Sequence, residues 1–314
     1  MIAKLKVAFA NYRITILTVI LFIGMGFVNP YFLKERNLWG LFVAMPAYGI
    51  AALGLTFVLI SGKLDISLGS VMALTSVVFA LVVGHVGFYA AVLIAILGGA
   101  VLGAITGTMV AWLHMDAFVS SLSAMITYKG IALYISKMKP VIVSDTVVIV
   151  IGETNFGPIP VTFFIFLAFV LMAHLVLSRT SFGRNLYAIG GNTKIAESVG
   201  INISIHHFAV FMINGVLASI GGIIMMTRLF SASGNLAIDL PLTVIPMVII
   251  GGTAFSGGRG GAFKTLSGVV LMYTVFNVMS MFNIYVNIQQ FIKGFIMLTI
   301  VVVDKYMDNR NSKV

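Results

Sequence analysis

Long apolar blocks separated by short polar breaks dominate this chain. A helix that crosses a bilayer needs roughly 20 consecutive, mostly apolar residues. Blocks of about that length occupy residues 14–29, 38–61, 67–84, 88–113, 118–136, 161–178, 207–229, 241–256, 263–283 and 287–303. They predict an all-α fold, a polytopic membrane protein of about ten transmembrane helices. Two blocks are weaker. Block 118–136 carries Ser120, Ser121, Ser123, Tyr128 and Lys129, and block 241–256 is short and ends in a glycine cluster. No stretch reads as a water-soluble domain, so residues 1–314 form one transmembrane domain. Its longest polar segments are 137–160 and 179–206.

Composition agrees with this reading. The chain is 60% hydrophobic and only 9% charged, whereas a soluble domain carries about 25% charged residues. A water-soluble surface cannot be covered from so small a polar supply. The net charge of +10 fits basic flanks against anionic headgroups and points away from nucleic acid. There is no cysteine, which excludes disulfides and thiolate metal sites. Lys4, Lys6 and Arg13 ahead of the first block imitate a signal peptide, but no small-x-small cleavage site follows, so this block reads as a retained span.

Ten spans put both termini on one side, and the positive-inside rule selects the cytoplasm. The inner segments then collect Lys4, Lys6, Arg13, Lys63, Arg179, Arg184, Lys194, Arg259, Lys264, Lys305, Arg310 and Lys313. The outer ones keep Lys34, Arg36, Lys137, Lys139 and Arg228. Segment 179–206 is thereby cytoplasmic, and 137–160 is external and partly structured.

Spans associate in lipid through close contact of small residues. Gly99, Gly103 and Gly107 recur on one helix face, and Gly215 with Ser219 and Ala218 with Gly222 give further small-xxx-small pairs. These are expected to pack helices. A faint internal echo joins Phe57–Gly62 and Ser67–Ser70 to Met247–Gly252 and Ser256–Gly258. In both places an apolar span runs into a Gly/Ser break and then another span, as in inverted five-helix halves with broken helices.

Catalytic chemistry is not legible. The chain has nine acidic residues and five histidines; only Asp65 stands near a span, and no histidine pair has metal-ligand spacing. The glycine cluster 251–261 before Lys264 fails as a phosphate-binding loop, because Phe263 separates glycine from lysine. No catalytic residue, metal or cofactor is therefore assigned to this chain. The polar groups of the spans are mostly neutral. Asp65, Ser67, Ser123, Asn214, Thr253, Asn277, Gln289 and Gln290 are candidates for a solute path. Neutral amides and hydroxyls suit a polyhydroxyl solute better than an ion, although each also serves as an interhelical hydrogen bond.

Segment 179–206 is the most informative. Asn192 is a good N-cap and Gly200 a good C′ residue, which predicts a helix of about two turns between them, with Ile195 and Val199 as its apolar face. So short a helix is unstable alone and must dock on the membrane domain or on a partner. The run Gly183-Arg184-Asn185-Leu186-Tyr187-Ala188-Ile189-Gly190-Gly191-Asn192 resembles the signature loop of ribose-type ABC sugar permeases. Further motifs of that family are resembled in the same order, by Leu59–Ser70, Ala117–Ala132, Ile249–Gly260 and Tyr285–Gly294. Ser61, Lys63 and Lys129 depart from the family pattern; Lys129 stands where Arg is usual.

The resemblance implies a single transmembrane permease domain in the bacterial inner membrane. It implies a second permease subunit, identical or a close paralogue, an extracytoplasmic sugar-binding protein, and two cytoplasmic ATPase subunits that hold ATP and magnesium. Coupling to those ATPases would fall on Gly183, Arg184, Asn185, Gly190, Gly191, Asn192, Ala196, Glu197 and Gly200. The alternative is a secondary transporter or channel for a small neutral solute, working without an ATPase.

Overall fold

The computed structural model describes the backbone of residues 2–311 and the side chains of residues 14–299 and 302. Lys313 lies outside the described residues, and the side chains of Lys4, Lys6, Arg13, Lys305 and Arg310 outside the described side chains. The chain is helical almost throughout. Ten helices carry the apolar blocks: α1 (Ile2–Val28), α2 (Glu35–Ile60), α3 (Leu68–Val86), α4 (Phe88–Ala111), α5 (Ala117–Ile135), α7 (Val161–Arg179), α10 (Ile203–Leu229), α11 (Leu240–Gly251), α12 (Ala262–Met281) and α13 (Val286–Asn311). Three lie between blocks: α6 (Thr146–Glu153), α8 (Ser181–Gly191) and α9 (Thr193–Ser198). Among the described residues, seven helices are long and apolar enough to cross a membrane, against the ten spans expected. Residues 14–28 of α1 and the 12 residues of α11 fall short.

The shortness of α11 has a structural cause, which α3 shares. After α2 ends at Ile60, the segment 61–67 turns back into the bundle. Asp65 there reaches Asn214, roughly 16 Å along α10 at 1.5 Å per residue. Helix α3 therefore begins inside the bundle, and Met72 lies against Gly222 of α10. The segment 230–239 makes the same excursion from the other end. Its first residues pair Ser231–Ala232 (β4) antiparallel with Val141–Ile142 (β1), and it then carries Ala237 to Gly69. The starts of α3 and α11 thus meet in the interior.

Helix pairing follows the inverted halves. Helix α3 packs on α4 and α5 as α11 packs on α12 and α13, and α4 lies along α10 as α12 lies along α2. The glycine echo in the sequence has another origin. The Gly258 N–H donates to the Ile60 carbonyl at 2.9 Å, and a Cβ on Gly257 would stand 2.8 Å from the Gly62 Cα. The two echoing breaks therefore touch at one end of the bundle. Breaks related by inversion lie at opposite ends, so the counterpart of 61–67 is 230–239, and Asp239 there matches Asp65.

The α4–α10 seam holds the small residues. A Cβ on Gly99 would lie 2.7 Å from the Ser219 Oγ, and one on Gly107 would lie 3.0 Å from the Phe208 carbonyl oxygen. Gly103 meets the Phe211 backbone, and Gly215 meets Gly99 and Gly103. Gly222 faces away from this seam, toward α3, where a Cβ on it would lie 2.6 Å from the Met72 carbonyl oxygen. Two helices are thus drawn onto α10 at backbone distance.

Segment 137–160 folds over the end opposite α8. It contains β1, α6 and a small hairpin, Asn155–Phe156 (β2) with Ile159–Pro160 (β3). Asp145 caps α6 by accepting from Val147 N–H and Val148 N–H.

Candidate functional site

The segment from 180 to 202 builds a projection on the bundle. Thr180 caps α8 by accepting from the Gly183 N–H at 3.1 Å. Gly183 packs on the backbone of Val176 and Leu177, so α8 folds directly back over the end of α7. Leu186 and Ile189 are fully buried beneath it. Tyr187 donates to the Gly260 carbonyl at 3.2 Å, and burial raises its phenol pKa above the usual value. Gly190 abuts the Ile60 carbonyl and the Gly258 nitrogen, whereas Gly191 has open space around it. Residues 181–191, for which the sequence pattern predicted no element, form α8, an amphipathic helix.

Both predicted caps of α9 are present. The Asn192 side chain accepts from the Ile195 N–H at 3.1 Å, and Gly200 takes φ +82°, a conformation open to glycine at little cost. The face of α9 that docks on the bundle is not the Ile195 and Val199 face. Ala196 is 1% exposed and anchors the helix to the bundle, while Ile195 and Val199 are 62% and 70% exposed. Arg184, Asn192, Glu197 and Gly200 are exposed as well. Asn185 lies beneath, its amide 3.2 Å from the His206 Nε2, and Phe182 stacks on the same imidazole. The projection thus presents two apolar side chains that nothing among the described residues covers.

The eight expected path residues do not form one site. Three of them gather. One carboxylate oxygen of Asp65 accepts from the Ser67 N–H at 2.7 Å and the Ser67 hydroxyl at 2.6 Å. The other accepts from the Asn214 amide at 2.9 Å. All three residues are buried, so this knot ties the 61–67 break to α10. The rest are dispersed. Thr253 is buried beside Gly260. Ser123 is exposed and donates to the Val119 carbonyl at 2.9 Å. Asn277 exchanges hydrogen bonds of 2.7 and 3.0 Å with Asn37, joining α12 to α2. Gln289 donates to the Ile284 carbonyl, and Gln290 is exposed.

A second intramembrane carboxylate was not anticipated. Asp239 stands at the start of α11, paired with Lys293 of α13 at 3.1 Å and hydrogen-bonded by Tyr48 of α2. The one sequence signal was Asp239 two residues ahead of Pro241, which lies in the first helical turn. Two cavities lie near the breaks. One, of about 330 Å³, is bounded by the start of α3 (Gly69, Ser70, Ala73), by α5 from Met125 to Leu133, and by residues 234–241. The other, of about 180 Å³, lies under segment 137–160 and includes Tyr48, Arg228 and Tyr273. Among the described residues, no three His, Asp or Glu side chains cluster closely enough to hold a metal ion.

Comparison with known proteins gives a consistent result. Residues 37–301 match the family described as "Branched-chain amino acid transport system / permease component". The chain is 31% identical to the L-arabinose transport system permease protein AraH of Escherichia coli K12, over 94% of this chain and 90% of the relative. It is 33% identical to the ribose import permease protein RbsC of Bacillus subtilis 168, over 91% and 90%. It is 31% identical to the D-allose transport system permease protein AlsC of Escherichia coli K12, over 92% and 90%. No solved structure matches the chain.

Proposed function

The chain belongs to the permease-component family of branched-chain amino acid transport systems, and from that premise we propose that it is the membrane subunit of an ATP-driven importer for a monosaccharide or sugar-like solute. ATP and magnesium are held by two separate ATPase subunits. A second permease, a copy or a close paralogue, completes the pore, and an extracytoplasmic binding protein delivers the solute. The assembly sits in a bacterial inner membrane with both termini of this chain cytoplasmic, as the Lys and Arg distribution favours.

The observation that carries this reading is the α8–α9 projection, anchored by Ala196 and bare at Ile195 and Val199. Exposed apolar side chains on a capped helix call for a partner surface. The projection is also wired inward. Gly190 abuts Ile60, where α2 ends, and Gly258 hydrogen-bonds the same Ile60 carbonyl. A push on α8 then reaches segment 61–67, the Asp65 knot and the start of α3. The interior is a set of packed helices that shifts between discrete arrangements.

The experiment is ATP-dependent uptake of labelled ribose, arabinose and allose by cells that carry the chain with its ATPase and binding protein. A Glu197→Cys variant supplies the sole thiol in a chain without cysteine. Labelling of that thiol from outside intact cells, or uptake that persists without the ATPase, would overturn the proposal.

A further inference from the structure

One charged residue, Lys129, lines the larger cavity. Its counterpart in the other half is identifiable. Tyr128-Lys129-Gly130 on α5 matches Ile292-Lys293-Gly294 on α13, and these helices hold equivalent places beside α3 and α11. Lys293 is neutralised by Asp239 at 3.1 Å and lies 4.7 Å over the Phe276 ring. The carboxylate that would serve Lys129 is Asp65, and it turns away to Ser67 and Asn214. Lys129 has no ion-pair partner among the described residues. The asymmetry leaves a cation in the wall of a cavity whose other lining is mostly small or apolar.

Ile126 and Ile238 line the cavity and are 64% and 56% exposed, so it borders the outer surface of the bundle there. A face of that kind would suit acyl chains, but an ammonium on it would not, because an unpaired charge in hydrocarbon is expensive and such groups face water-filled cavities instead. An ammonium offers three donors and no acceptor, so it is satisfied by a solute rich in oxygen lone pairs and it repels a cation. A volume of about 330 Å³ is of the order that holds a small ligand. The starts of α3 and α11 border the same space, as Gly69 lies against Ala237, Leu240 and Pro241.

We propose that this cavity is a station on the solute path and that Lys129 is its specificity-determining contact, accepting polyhydroxylated neutral or anionic solutes and rejecting cationic ones. The proposal rests on the transport reading above for its solute, but its electrostatic content is testable separately. In the cysteine-free chain, Ile126→Cys places a single thiol at the mouth. Two methanethiosulfonates of similar size, one anionic and one cationic, probe it in membranes of cells carrying the whole transporter. With Lys129 present, the anionic reagent is expected to react several-fold faster relative to its rate on a free thiol, and Lys129→Met is expected to erase that preference. Uptake of labelled ribose, arabinose or allose, whichever the intact transporter carries, is expected to fall about tenfold or more in Lys129→Met, the loss of one charge-assisted hydrogen bond. Lys129→Arg is expected to retain most of it, with equal amounts of protein in the membrane. An unreactive thiol at 126, a reagent preference unchanged by Lys129→Met, or wild-type uptake by that variant would each overturn the proposal. Absence of uptake by the unmodified transporter would count against the transport reading, while the thiol ratio would still judge the cavity.

Discussion

The α4–α10 seam offers a comparison with its own control. Gly98 and Gly103 both lie in α4, so replacement by Ala adds the same Cβ and the same gain in helix propensity, about 1 kcal/mol in a helix interior. Their surroundings differ. A Cβ at Gly98 meets only the Thr75 Cγ2, at 3.9 Å, which is ordinary contact. A Cβ at Gly103 runs into the Phe211 carbonyl oxygen, with the Met212 Cα at 3.0 Å and the Phe211 carbonyl carbon at 3.1 Å. Every one of those atoms is backbone, so no side chain can rotate aside and the helices themselves must shift. Overpacking of this kind costs about 1–3 kcal/mol. Propensity cancels between the variants, so the gap in stability between Gly98→Ala and Gly103→Ala should equal that clash, with Gly103→Ala the weaker. The assay is reversible unfolding of the purified permease in mixed micelles with increasing SDS, read by the midpoint and slope. Equal stabilities for the two variants would refute the claim that α10 is held at backbone distance from this face of α4.

Three further outcomes are expected. The double variant Ile195→Asp with Val199→Asp should abolish co-purification of the ATPase and uptake while leaving unfolding midpoints unchanged, since both side chains are exposed; Ala196→Leu should instead lower the midpoint, because Ala196 is buried. Gly190→Ala should uncouple ATP hydrolysis from uptake and destabilise the chain by about 1–3 kcal/mol, because its Cβ meets the Ile60 carbonyl, whereas Gly191→Ala, with open space around it, should match wild type in both measurements. Asp65→Ala strands the Ser67 and Asn214 donors and should cost about 1–3 kcal/mol for each group left unsatisfied. Asp65→Asn should cost less in the same unfolding assay, because the Asn214 amide can turn its unpaired oxygen toward the new N–H.

Much of the function-bearing architecture was readable along the chain because its causes are local. A block of apolar residues seeks lipid wherever it falls, so every expected block lies on a helix. Asn192 and Gly200 cap α9 as expected, since a cap involves only its own turn. Helix α8 was not predicted; tertiary contact with α7 and α2 makes glycine the residue that fits at Gly183 and Gly190. Which face of α9 meets the bundle was not legible either: apolar spacing marks Ile195 and Val199, but the contact is made at the small Ala196.

What the sequence settled by itself was that the apolar blocks form helices, and family membership through ordered motifs. The tertiary structure alone decided where the breaks go. Segments 61–67 and 230–239 read as connections, and both turn back into the bundle to set the starts of α3 and α11 face to face. It also decided which of two matching lysines finds a carboxylate. Those outcomes depend on contacts between residues far apart along the chain, 149 positions for Asp65 with Asn214 and 54 for Asp239 with Lys293. No local pattern encodes them, because a buried donor or charge takes whichever partner the packed helices bring within about 3 Å.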